Sequence, residues 1–120
     1  MPQYVDGFLL PVPRKNLNAY RRLAKKAGRI WREHGALDYR ECVGDDLDIK
    51  EMVPFTQTIK VKPDELVIFA YIVFKSRKDR DRVNANVMKD PRIAKMGDKD
   101  SMPFDYRRMA YGGFKSIVAI

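Results

Sequence analysis

Cysteine, histidine and tryptophan occur once each in this chain, as Cys42, His34 and Trp31. A single cysteine excludes an intrachain disulfide and every cysteine-rich metal site. One histidine and one cysteine leave a transition metal without a credible ligand set unless two copies combine theirs. A haem would find only His34 as an axial ligand. No metal and no cofactor are therefore expected. Long apolar runs are missing too. The longest, Leu66 to Phe74, is far too short for a bilayer-spanning helix, so no membrane association is expected. The opening MPQYVDGF has no basic segment leading into an apolar one, which argues against a secretory signal. These absences fit a soluble cytoplasmic protein.

What is present is an ordinary globular balance, 45% hydrophobic and 33% charged over 120 residues, the size of one domain spanning 1–120. The net charge of +8 permits an acidic partner without requiring one. Val5 to Val12 reads as a strand ended by Pro11 and Pro13. Leu17, Tyr20, Ala24, Ala27, Trp31 and His34 then recur at helical steps, and Gly35 follows where helices stop. Ala36 to Val43 alternates as a second strand. Residues 44–64 are polar and broken by Pro54 and Pro63, with a short extended piece expected around Thr56 to Val61. Leu66 to Phe74, LVIFAYIVF, reads as a strand covered on both faces. Ser76, with Asp79 three residues on, caps a second helix whose narrow apolar face is Val83, Val87 and Met88. Asp90-Pro91 breaks it and starts a further turn. Met96 to Pro103 reads as loop and Arg108 to Ile120 as a last strand, with Gly112-Gly113 marking a bulge or a close backbone approach.

The order is β-α-β-β-α-β, an α+β ferredoxin-like domain with a four-stranded antiparallel sheet. Both helices should cover one face. The other would then expose one side of LVIFAYIVF and of the first strand. Each large apolar side chain left in water forgoes roughly 1.5–3 kcal/mol. A second copy of the same sheet is the simplest closed cover, so a homodimer forming a barrel through its sheet faces is expected.

YVDGF at 4–8, KAGRIWREHGALDYRECVGDD at 26–46, RVNANVMKDPR at 82–92 and MPFDYRRMAYGGF at 102–114 resemble the YbaA-type family of small bacterial proteins, a domain of unknown function in the dimeric α+β barrel superfamily. The resemblance spans nearly the whole chain and implies the ferredoxin-like fold and the sheet-to-sheet dimer. It carries no defined catalytic set, so it assigns no residue a role. Relatives in that superfamily include cofactor-free monooxygenases, haem-degrading enzymes and ligand-binding proteins.

Among individual residues, His34 could act as a general base beside Trp31, because histidine titrates near neutrality; the plainer reading is a histidine capping the end of its helix. Asp6 interrupts an apolar central strand and needs a partner. Arg107, Arg108 or Lys115 on the last strand could supply it. Cys42 has no second histidine to activate it and reads as an inert strand residue. Asp45, Asp46, Asp48 and Glu51 lack the spacing of a calcium loop and read as a solvated turn.

The first helix is strongly basic, and Arg22, Lys26 and Arg29 could meet the phosphates of RNA. RNA-recognition motifs share this element order, and Phe69-Ala70-Tyr71-Ile72-Val73-Phe74 matches the tail of their third-strand signature. The basic-glycine start is replaced by Val67-Ile68, and the basic residues gather on the helices rather than the sheet. The leading expectation is a cavity, between sheet and helices or at the dimer seam, for a small apolar or aromatic metabolite. Its walls would be Trp31, Tyr71, Phe104 and Met109, and its polar groups His34, Asp6 and Arg108. The alternatives are cofactor-free oxygenation with His34 as base, and a non-enzymatic RNA binder using the basic helix faces. Whether any reaction is catalysed is left open by the residues.

Overall fold

Four strands form one antiparallel sheet in the computed structural model of the chain, which describes residues 1–120. The elements are β1 (Tyr4–Pro13), α1 (Leu17–Glu33), β2 (Asp38–Val43), α2 (Phe55–Thr58), β3 (Glu65–Phe74), α3 (Arg77–Lys89), α4 (Pro91–Ala94) and β4 (Ala110–Lys115). The strand order is β2-β3-β1-β4, the ferredoxin-like arrangement expected from the element order. No helix is long and apolar enough to cross a membrane.

The register explains the core. Tyr4, Asp6, Phe8, Leu10 and Val12 of β1 lie opposite Phe74, Ile72, Ala70, Ile68 and Leu66 of β3. Side chains alternate across a strand, so this set shares one face, and α1 and α3 pack on it. Ile30, Val83 and Val87 meet Ile72 and Phe74 in one cluster, while Tyr20 and Ala24 meet Leu10, Val12 and Ile68 in another. Gly35 ends α1 in a left-handed conformation, φ 122°, that side chains disfavour. Ser76 caps α3 as expected, its Oγ accepting from the Asp79 amide at 3.1 Å.

Several expected boundaries shift. Residues 56–61 are not extended: the turn Phe55–Thr58 is helical, with the Thr58 and Ile59 amides donating to the Pro54 and Phe55 carbonyls. The segment pairs with no strand of the sheet and satisfies its backbone locally. The last strand stops at Lys115 because its partner β1 begins at Tyr4, the residue paired with Lys115. The pairing runs unbroken through Gly112-Gly113, so the glycines mark no bulge. They permit a close approach: a Cβ on Gly113 would stand 2.6 Å from the Tyr4 ring. Met88 is exposed rather than part of the apolar face of α3, which narrows to Val83 and Val87.

The face away from the helices carries Val5, Leu9, Phe69, Tyr71, Val73 and Phe114. Phe55 of α2 reaches its margin and meets Phe69 edge-on at 6.2 Å. Beyond that, Phe69 remains 46% and Phe114 62% exposed.

Candidate ligand cavity

Three alanines leave a space between α1 and the sheet. Ala24 and Ala27 on the helix look down on Ala70 of β3, and all three line a cavity of about 300 Å³. Trp31 and Tyr20 of α1 stand along its length, and Phe8, Leu10 and Ile72 form its floor. The chain from Ile93 to Met109 closes the side, through Ile93, Met96, Met102, Phe104 and Met109. Methionine fills irregular space with little stiffness, which gives this wall room to adapt. At Gly28 the helix comes so close to β2 that a Cβ would lie 2.7 Å from the Tyr39 ring.

The one carboxylate in the lining is Glu41 of β2. It pairs across from Ala70 and therefore points to the helix side. Tyr20 donates its hydroxyl to Glu41 Oε1 at 2.7 Å, and Tyr39 donates to Oε2 at 2.7 Å. Burial pushes the Glu41 carboxyl above the usual range, against the two hydroxyls that favour its charged form. Burial and the neighbouring Glu41 charge both push the two phenols far up. Each hydroxyl thus spends its proton on Glu41, and the three groups form one hydrogen-bonded unit in an apolar room.

A second polar group braces the wall from behind. Asp6, 1% exposed, accepts from Asn84 Nδ2 and from the Tyr111 hydroxyl, each at 3.2 Å. Asn84 Oδ1 in turn accepts from Trp31 Nε1 at 2.9 Å. The other Asp6 oxygen faces Arg80 Nε at 3.8 Å, too far for a hydrogen bond. Asp6 therefore holds α3 and, through Asn84, fixes the orientation of Trp31.

The sequence profile of a family described as a protein of unknown function, DUF1428, matches residues 3–106. The chain belongs to this family. It is also 41% identical, over 97% of both chains, to the uncharacterised protein YbaA of Escherichia coli (strain K12) and to that of Shigella flexneri. A dimeric ferredoxin-like protein from an uncultured marine organism has a similar fold, with a TM-score of 0.56 and 8% identity over 100% of each chain.

In this DUF1428 protein the expected wall residues Trp31, Phe104 and Met109 border the cavity. Tyr71 borders it only through the floor strand, because its ring meets Phe69 at 6.3 Å on the opposite face of the sheet. The expected polar groups lie elsewhere. His34 is not in the lining; its Nε2 sits 2.8 Å from Asp90 Oδ2, tying the end of α1 to the start of α4. His34 thus faces Asp90 rather than the lining of this cavity. Hydrogen bonds from Arg92 and then from His34 hold the Asp90 carboxyl well below its ordinary range. Arg108 leaves the site to bind Glu65 with its two terminal guanidinium nitrogens, at 2.6 and 2.9 Å. Asp6 takes Arg80 of α3 rather than Arg107, Arg108 or Lys115.

Arg22, Lys26 and Arg29 do come together. They line a shallow groove with Arg92 and Lys95, on the outer side of α1, where Arg92 is paired with Glu33 at 2.6 Å. Cys42 is exposed on the open face beside Phe69, its β3 partner. No three His, Cys, Asp or Glu side chains gather where they could hold a metal ion. Glu41 was missed from sequence. The signal was there: in Tyr39-Arg40-Glu41 the alternation that buries Tyr39 must bury Glu41 as well.

Proposed function

We propose that this protein binds a small apolar or aromatic metabolite in the cavity beneath α1, one per subunit of a homodimer joined through the open sheet faces. The observation that carries the reading is the space itself. Ala24, Ala27 and Ala70 face one another where larger residues would close the core. An apolar void of about 150 Å³ accepts benzene, so about 300 Å³ admits a substituted or fused ring.

The dimer rests on the uncovered face. It is apolar at Val5, Leu9, Phe69, Val73 and Phe114, and such patches mark interaction surfaces. The basic residue of β2 beside it, Arg40, is already tied to Asp38 at 3.2 Å, which leaves little to attract phosphates. The similar fold from the marine organism is described as dimeric. A second copy suits this face better than a nucleic acid.

The experiment is a thermal-shift screen with small aromatic compounds, repeated on Ala27→Leu. Binding to the folded form raises the melting temperature. The wild type should respond to some of them, and the filled variant should melt higher alone but no longer respond. An unresponsive wild type, or an Ala27→Leu variant that binds as well, overturns the cavity reading. Light scattering tests the pairing. The wild type should give twice the 14.0 kDa of one chain, and Leu9→Glu should give one. A wild-type particle of 14.0 kDa at micromolar concentration overturns it.

A further inference from the structure

We infer that the cavity selects ligands bearing a protonated amine, seated on Glu41 and enclosed by the rings of Trp31, Tyr20, Tyr39 and Phe104. The inference rests on the cavity reading above and adds to it the charge of the occupant. Three observations carry it.

Glu41 is the only charged residue in the lining, and no Lys, Arg or His forms an ion pair with it. A carboxylate drawn out of water without a cation is costly, and a cationic ligand would relieve that cost. Its hydrogen bonding is also incomplete. A carboxylate offers about four acceptor sites, and each Glu41 oxygen takes one tyrosine proton. Room is left on both oxygens for the N–H groups of an ammonium. The tyrosine hydroxyls, committed as donors to Glu41, have no proton left for an anionic ligand.

The rings complete the arrangement. Trp31 and Tyr39 stand 6.3 Å apart and tilted, and Phe104 meets Tyr20 edge-on at 5.6 Å. Aromatic faces around a carboxylate attract cations through the ring quadrupoles. Arg21, Lys25, Arg29 and Arg32 line a neighbouring groove that shares Tyr20, Tyr39 and Glu41 with the cavity. All four are exposed, so water screens their repulsion of a cation inside.

Three probes that share a phenyl ring and a two-carbon arm separate the possibilities at neutral pH: 2-phenylethylamine, 2-phenylethanol and 3-phenylpropionate. The amine should bind wild type most tightly, by about tenfold over the acid. Glu41→Gln should remove that preference while leaving phenylethanol binding nearly unchanged. The acid or the alcohol binding as tightly as the amine overturns the inference and leaves the cavity reading standing. So does an undiminished amine preference in Glu41→Gln. Failure of all three to bind wild type defeats both. The wild-type ranking decides the matter even if the variant does not fold.

Discussion

On the helix side of β1 and β3, Leu10, Val12, Ile72 and Phe74 are shut off from water, whereas on the other side of the same strands Phe69 keeps 46% of its surface exposed. The composition of the two sides is nearly the same, so hydrophobicity does not distinguish them. What differs is the supply of cover. Two helices, α1 and α3, fall on one side, and only the short turn α2 reaches the margin of the other. The first face is closed by the fold itself; the second, on the pairing proposed above, is closed by association. Each can be attacked separately.

The largest effect should come from Phe74, which is fully buried among Ile30, Val83 and Val87. Phe74→Ala should cost about 3–5 kcal/mol in urea unfolding, at any protein concentration. Phe114→Ala, on the open face, should lower stability by less, about 1.5–3 kcal/mol at most. Its loss should vanish on dilution to the monomer. An equal, concentration-independent loss for both would erase the distinction between the faces. Ser76→Ala, which removes the cap of α3, should cost about 1 kcal/mol.

The smallest effect is one of pH. Burial raises the affinity of Glu41 for its proton in the folded state. Between the unfolded glutamate value of about 4.3 and the raised folded one, the native state holds more protons than the unfolded, so stability falls as pH rises. Glu41→Gln should flatten that fall. Glu65 runs the other way: hydrogen bonds from Arg108 hold its carboxyl low. Its contribution is present above about 4.3 and lost as pH falls through the lowered value. Glu65→Gln should therefore blunt the acid-side loss. Urea midpoints measured across the acid range would separate the two variants, and matching curves would contradict both assignments.

Most of the fold was legible because periodicity survives without tertiary knowledge. LVIFAYIVF can be little else than a central strand, and the stripe from Leu17 to His34 reads directly as α1. The segment 56–61 reads as extended because its composition does not show the local amide-to-carbonyl bonds that curl it after Pro54. The cavity was half legible. Trp31, Phe104 and Met109 are large and apolar and had to pack somewhere inside. The polar partners were not, because His34, Asp6 and Arg108 were assigned by chemical interest, whereas Asp90, Arg80 and Glu65 claim them through contacts more than forty positions away along the chain. Glu41 escaped notice because a glutamate next to Arg40 looks like a surface residue until its strand's inward side is known.

The near collision at Gly28 has a use beyond packing. It sets the helix directly on the Tyr39 ring, one turn from Ala24 above Ala70. The roof there is set by bare backbone pressed against one of the two phenols that hold Glu41. A side chain at position 28 would press on Tyr39 before anything else, so the capacity of the chamber and the seating of Glu41 hang on the same missing atom.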